Sequence, residues 1–176
     1  MSAMRPDGVT IRRALTEDGA QLAAIDHAAW SWISDVSPQP AEDAGFFHER
    51  RTPGQCLVAE SDGVVVGYIR QVPPTPLATN RHIRQIQGFG VLPAFRGRGI
   101  GALLIDAAID AARTDGIRRM TLRVLGRNTS ARRLYERAGF TVDGILPEEF
   151  HLDGEYVDDV LMGRSLLGHD HDRDHG

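Results

Sequence analysis

The chain contains no lysine: all twenty of its Lys+Arg residues, in 176 residues, are arginine. This absence excludes a P-loop, because that phosphate-binding motif requires a lysine after its second glycine. Cysteine is almost absent as well, and the single Cys56 cannot form an internal disulfide. We therefore expect a reducing, cytoplasmic setting. Since Cys56 lies in an apolar run, we expect a buried thiol rather than a nucleophile.

Long apolar runs are missing too. No stretch approaches the roughly 20 residues of a membrane span, and the N-terminus lacks the apolar region of a signal peptide. The formal net charge of -4 gives no overall basic footprint for nucleic acid. We expect one domain over residues 9–167, with no membrane or nucleic-acid partner. A flexible N-terminus (1–8) and a disordered His/Asp tail (168–176), interpreted as solvated rather than metal-binding, flank this domain.

Hydrophobic periodicity predicts elements in the order β-α-α-β-β-β-α-β-α-β-β. Strands are expected at residues 9–14, 55–60, 64–72, 82–92, 118–124, 141–146 and 156–165. Helices are expected around residues 16–29, 41–51, 102–112 and 128–138. Ser61-Asp62-Gly63 and Asp153-Gly154 are predicted to be hairpin turns.

A basic, glycine-rich turn, RGRGIG at residues 96–101, lies between a predicted strand and a predicted helix. Glycines let the backbone approach a ligand closely, and the N-terminus of a helix carries about half a positive charge. Arg96 and Arg98 add full charges suited to phosphate. The pattern therefore predicts a site for a phosphate or pyrophosphate.

Two other interpretations of this turn are a dinucleotide-binding turn and a structural turn without a ligand. A dinucleotide-binding G-x-G-x-x-G turn does not match, because the third glycine, Gly101, comes one position too early and no acidic residue follows in a second-strand context. The alternative without a ligand is a structural turn that begins a helix. The turn does fit a third pattern, R/Q-x-x-G-x-G/A.

A second motif, N-x-x-A-x-x-L-Y-x-x-x-G-F, occupies residues 128–140. Asn128 is a good helix N-cap, and Gly139 is suited to the position that follows a helix. Together, in this order and at this separation, the two motifs resemble those of the GNAT family of N-acetyltransferases. The resemblance extends over residues 9–167.

The resemblance implies an α+β fold (an α/β sandwich) whose mixed, mostly antiparallel seven-stranded sheet is splayed at its centre and flanked by four helices. It also implies acetyl-CoA as cosubstrate, with no metal. The residues expected to hold acetyl-CoA are Phe89, Gly90, Val91, Arg96, Gly97, Arg98, Gly99, Ile100, Gly101 and Asn128.

For catalysis, the resemblance implies that Tyr135 is the general acid and that the Val91 backbone N–H polarises the thioester carbonyl. Gln87 aligns where several members of the family carry a glutamate, and an amide can hold a water but cannot accept a proton. The general base therefore stays open between a water chain and a carboxylate near the last turn. The candidate carboxylates are Glu148, Glu149, Glu155, Asp158 and Asp159.

The expected acceptor is a primary amine, interpreted as a small molecule, which attacks acetyl-CoA directly in a ternary complex. Its candidate contacts are Trp30, Trp32, Glu149 and Tyr156. The alternatives are a protein N-terminal or lysine acetyltransferase and a non-catalytic acetyl-CoA-binding regulatory module. The resemblance also allows a homodimer.

Overall fold

A computed structural model describes residues 8–168, so the predictions for the N-terminus and the His/Asp tail fall almost wholly outside the described residues. Seven strands are described: β1 Val9–Arg13, β2 Cys56–Ser61, β3 Val64–Val72, β4 Ile83–Val91, β5 Arg119–Leu125, β6 Thr141–Leu152 and β7 Glu155–Ser165. Three α-helices are described: α1 Gly19–Ala29, α2 Ile100–Thr114 and α3 Thr129–Arg137. Over residues 8–168, every helix is too short or too polar to cross a membrane.

The seven strands form one sheet in the order β1-β2-β3-β4-β5-β7-β6. All neighbouring strands are antiparallel except β4 and β5, which are parallel. This parallel pair extends only from Ile83 opposite Arg119 to Ile86 opposite Leu122. Beyond Ile86 the two strands separate, which confirms the predicted mixed sheet with a central splay.

Each face of the sheet has its own apolar core. Helix α2 covers one face with side chains that are at most 2% exposed: Leu104, Ile105, Ala108, Ile109 and Ala112. Helix α1 covers the other face through Leu22 and Ile25, over β2 and β3. Buried Cys56 belongs to this second core, and its burial raises the pKa of the thiol to about 11. The expectation of a buried thiol is therefore confirmed, and a raised pKa disfavours the nucleophilic thiolate.

The helix predicted over residues 41–51 is absent, so three α-helices flank the sheet rather than four. In its place an irregular segment inserts Phe46 into the α1 core, with its ring against Tyr68 at 5.1 Å. The guanidinium of Arg51 stacks on Phe46 at 3.7 Å. Residues five apart lie about 140° apart around a helix, so a helix could not stack this pair. Tertiary packing of the aromatic ring overrides the local periodicity.

Both predicted hairpin turns are confirmed, with positive φ at two successive residues in each. The values are 49° at Asp62, 79° at Gly63, 50° at Asp153 and 79° at Gly154. Positive φ at two central residues matches the twist of the strands they join. The last hairpin is longer than predicted, because β6 extends to Leu152 through two register shifts that interrupt its alternation.

Candidate active site

The glycine-rich turn leads into the N-terminus of α2. Gly97 and Gly99 have φ values of 76° and 79°, a left-handed conformation that favours glycine, and nothing lies within 4 Å of either ideal Cβ position. Within residues 8–168, none of the six successive backbone N–H groups from 97 to 102 donates a hydrogen bond. The first turn of α2 has no acidic residue, and Arg96 and Arg98 are exposed beside it. This arrangement of free donors and positive charge is suited to a pyrophosphate.

Gly101 and Ile100 have a structural role that the sequence did not indicate. A Cβ on Gly101 would lie 3.1 Å from the Phe89 ring and 3.2 Å from Leu134, so glycine lets α2 pack closely against β4 and α3. Ile100 is 1% exposed and belongs to the α2 core. At these two positions only the backbone is available to a ligand.

The splay between β4 and β5 exposes backbone groups beside this turn. The Leu92 N–H donates to the Val66 carbonyl at 2.8 Å. Because hydrogen bonds alternate along an antiparallel pair, Phe89 and Val91 direct their N–H and C=O groups away from β3 and into the splay. Gly90 faces the opposite way and pairs with Tyr68. The splay can therefore accept an extended, amide-rich chain as an extra strand.

Tyr135 lies on α3 and is buried close to the same splay. Its ring is 6.2 Å from the ring of Phe89 and 6.0 Å from that of Phe140. Its hydroxyl makes no hydrogen bond to any other described residue. Burial raises the pKa of this phenol, so it stays protonated at neutral pH and can donate. Asn128 caps the helix as predicted, with Oδ1 accepting from the Ala131 N–H at 3.2 Å.

Gln87 is the extra residue of a β-bulge. Gly88 and Ile86 pair with successive residues of β3, which leaves Gln87 between them without a partner. Its exposed side-chain amide donates to Gln85 Oε1 at 2.6 Å. Sequence reasoning missed Gln85, although the spacing of two glutamines at alternate positions was visible. The bulge places this pair of glutamines beside the point where β4 and β5 begin to separate.

Most carboxylates of the last hairpin are already engaged. Asp158 accepts from the Glu148 N–H at 2.9 Å, and Glu155 lies 3.3 Å from Arg127. Asp159 is buried and pairs with Arg123. The other two candidates, Glu148 and Glu149, are exposed, and their carboxylates form no ion pair with any described residue.

The two tryptophans have different surroundings from Tyr156. Trp32 packs with Phe150 against a small apolar cluster formed by Leu125, Leu152 and Val157. Trp30 lies edge-on to Trp32 at 4.9 Å and donates to the Ser37 carbonyl. Tyr156 is 68% exposed, stacks on His151, and points to the face opposite its neighbour Val157. The structure thus brings Trp30 and Trp32 together but separates Tyr156 from them.

A polar network that the sequence did not reveal lies over β4. The Tyr68 hydroxyl donates to Asp26 of α1. Arg51 donates to the Tyr68 hydroxyl at 3.1 Å and to Asp26 at 3.2 Å. The three residues are distant in sequence, and the only local signal was an acidic side chain next to buried Ile25.

Comparison with known proteins agrees with this geometry. The family model described as Acetyltransferase (GNAT) family matches residues 21–140, more than half of the chain. The protein therefore belongs to the GNAT family, and the resemblance carried by the two motifs is confirmed.

Curated relatives include acetyltransferases of small molecules. A mycothiol acetyltransferase of Propionibacterium freudenreichii is 33% identical over 142 residues, which is 78% of this chain and 44% of the relative. The L-methionine sulfoximine/L-methionine sulfone acetyltransferase of Salmonella typhimurium is 29% identical over 175 residues, 92% of this chain and 96% of the relative. The chain spans about half the length of the mycothiol acetyltransferases that it matches, at 44% and 50%.

Among solved structures, YncA of Salmonella typhimurium, determined with its cofactor acetyl-CoA, aligns with a TM-score of 0.78. Its sequence identity is 27%, and the alignment covers 92% of this chain and 95% of that chain. The fold is therefore shared with a protein whose structure contains acetyl-CoA.

Proposed function

We propose that the protein is an N-acetyltransferase that moves the acetyl group of acetyl-CoA to a primary amine of a small molecule. The observation that carries this proposal is the run of six free N–H groups at residues 97–102, beside a splayed sheet. Acetyl-CoA has a pyrophosphate for the first feature and an amide-rich arm for the second. Its thioester supplies the electrophilic carbonyl carbon.

Three residues have proposed roles in the chemical step. The Val91 N–H, directed into the splay, is suited to polarising the thioester carbonyl. Tyr135, buried and protonated, is suited to donating a proton to the departing thiolate. Asn128 orients α3, and thereby Tyr135, through its cap. Direct attack by the amine in a ternary complex needs no covalent acyl-enzyme, and the one cysteine is buried in a core.

A small acceptor is supported by the shape of the face opposite α2. The connection from α1 to β2 reaches the β6–β7 hairpin there through Trp32, whose carbonyl accepts from Arg127. We take this face, bordered by the connection and the hairpin, as the acceptor face; the contact at Trp32 bounds it at one end, which suits a compact molecule better than a polypeptide running through it. Two of the relatives are named as a mycothiol acetyltransferase and an L-methionine sulfoximine/L-methionine sulfone acetyltransferase, and the small compounds in these names agree with a small acceptor.

The test is thiol release from acetyl-CoA against spermidine, L-methionine sulfone, phosphinothricin, glucosamine, kanamycin and a peptide with a free N-terminus. Turnover with a small amine supports the proposal, and turnover with the peptide alone favours a protein acetyltransferase. Tight acetyl-CoA binding by calorimetry without any turnover would favour the non-catalytic regulatory module.

The phosphate site is tested by Gly99→Glu. The new carboxylate would repel a pyrophosphate and occupy its place, so we expect acetyl-CoA affinity to fall by about 100-fold or more, equivalent to roughly 2.7 kcal/mol. Gly116→Glu is a matched control, because Gly116 has a similar φ of 74° and open surroundings but follows the opposite end of α2. Equal acetyl-CoA affinities for the two variants, measured by calorimetry on folded protein, would show that this turn does not bind the pyrophosphate.

A further inference from the structure

We infer that Tyr68 and Asp26 form the proton relay that deprotonates the attacking amine, in place of a carboxylate on β4. The inference rests on the proposed function, since it assigns the base of that reaction. The reaction needs a general base for the attacking amine. Gln87 cannot accept a proton, and most carboxylates of the last hairpin are engaged in other contacts.

The position of Tyr68 supports this role. Tyr68 belongs to β3, and its ring extends over the backbone of Gly88 and Gly90 on the neighbouring strand β4. An ideal Cβ on Gly88 would lie 3.2 Å from Tyr68 Cε2 and 3.5 Å from its hydroxyl oxygen. An ideal Cβ on Gly90 would lie 3.4 Å from Tyr68 Cε1. The hydroxyl is therefore beside the bulge at Gln87 and one residue from Phe89, whose backbone faces the splay.

The hydrogen bonds of the Tyr68 hydroxyl set the direction in which it can pass a proton. It donates to Asp26 and accepts from Arg51. A hydroxyl oxygen has two acceptor positions, so one remains for an N–H of the acceptor amine or for a bridging water. Asp26 is 22% exposed at its side chain and can pass a proton on to solvent. The network thus joins a buried hydroxyl next to the splay to a partly exposed carboxylate.

The proton balance closes without another reactant. An ammonium N–H proton moves to the Tyr68 oxygen as the Tyr68 proton moves to Asp26, which then releases it to water. The neutral nitrogen bonds to the acetyl carbon, and the carbon–sulfur bond breaks. The second proton of the nitrogen is lost to water as the amide forms, and Tyr135, after giving its proton to the thiolate, recovers one from water, so the net reaction releases one proton per ammonium acetylated.

Other charged groups around Tyr68 are compatible with this direction of transfer. Arg51 donates to the Tyr68 hydroxyl, burial lowers the pKa of Arg70 from its usual value, and burial raises the pKa of the Cys56 thiol to about 11, so this thiol stays neutral at neutral pH. Burial, with the neighbouring Asp26 charge, raises the pKa of Tyr68 well above its usual value. Tyr68 is therefore a relay that keeps its proton between turnovers, and Asp26 is the group that accepts the transferred proton.

The relay is tested with Tyr68→Phe and Asp26→Asn, which keep the ring and the side-chain shape. Asp106→Asn, the same chemical change at an exposed position on α2, is the control. With each panel amine that the wild-type protein acetylates, we expect kcat at neutral pH to fall about 100-fold in both relay variants, within the range of one general base. Acetyl-CoA affinity and melting temperature should stay close to the control.

The pH profile separates a relay from a structural network. Wild-type kcat/KM should be level across neutral pH, because the enzyme deprotonates the ammonium. In Tyr68→Phe it should rise about tenfold per pH unit until the pKa of the free amine, roughly 8 to 10, because only neutral amine reacts. A defect that is equal at every pH, or no defect, overturns the relay while the proposed function stands. No wild-type turnover with any panel amine overturns both.

Discussion

The Tyr135 ring is buried, and its hydroxyl has no hydrogen-bond partner among the described residues. The hydroxyl oxygen itself keeps contact with solvent, so its O–H is free to donate to a ligand. The ring is held by Phe89 and Phe140, so its position does not depend on the hydroxyl. At the scale of one residue, a fixed ring whose hydroxyl has no protein partner is what we expect where that hydroxyl binds a ligand.

Tyr135→Phe should therefore separate stability from activity. We expect kcat to fall about 100-fold, in the range of one general acid. Thermal stability should be unchanged, because the hydroxyl makes no hydrogen bond to another described residue, and acetyl-CoA affinity should be nearly kept. Steady-state kinetics, a thermal melt and calorimetry check the three parts. Wild-type kcat in the variant would contradict the role of general acid.

At the scale of elements, the site depends on how closely β3, β4 and α2 pack. Gly67 on β3 lies opposite Val91. An ideal Cβ there would be 3.0 Å from the Gly90 carbonyl oxygen and 3.2 Å from Leu104 of α2. Because a backbone oxygen cannot move aside as a side chain can, this glycine sets the distance between the helix that begins at the phosphate turn and the strand that borders the splay.

Gly67→Ala should accordingly destabilise the protein by about 1–3 kcal/mol through overpacking. Gly144→Ala is the matched control, because Gly144 also lies in a strand but has nothing within 4 Å of its Cβ position. That variant should be neutral or slightly more stable, since alanine restricts the unfolded chain. Urea unfolding measures both. Equal midpoints for the two variants would show that the contact at Gly67 relaxes without cost.

At the scale of the whole molecule, the acceptor face is assembled from parts that are distant in sequence. The connection from α1 to β2 contributes Arg51 near one end and Trp32 near the other. Trp32 joins this connection to the β6–β7 hairpin, with Arg127 donating to its carbonyl and pairing with Glu155. The connection has no regular α-helix of its own, so its position depends on these contacts.

Trp32→Ala should weaken the contact between the α1–β2 connection and the β6–β7 hairpin without affecting the acetyl-CoA site. We expect the KM for the acceptor amine to rise roughly tenfold, equivalent to about 1.4 kcal/mol, with acetyl-CoA affinity unchanged. Proteolysis within residues 30–52 should become faster. Ile33→Ala, at a residue that is 55% exposed in the same connection, is the control. An unchanged KM together with unchanged proteolysis would contradict this role of the contact.

Local physics determined much of this protein from its sequence. The hairpin turns at 62–63 and 153–154, the Asn128 cap and the left-handed glycines at 97 and 99 depend on neighbouring residues, and each was predictable. The order of the strands along the chain followed from hydrophobic periodicity, and the mixed, splayed sheet was implied by the two motifs that mark the family. Residues 41–51 were mispredicted as a helix because a ring inserted into a core outweighs weak local propensity.

Only the tertiary structure decided which side chains meet. The network of Asp26, Arg51 and Tyr68 joins a helix, an irregular connection and a strand, up to 42 residues apart. The bulge at Gln87 is a register shift that no single strand reveals. The separation of Tyr156 from Trp32 likewise follows from which face of a strand becomes buried. Contacts between distant residues depend on how the whole sheet is covered, whereas turns and caps depend on their immediate neighbours.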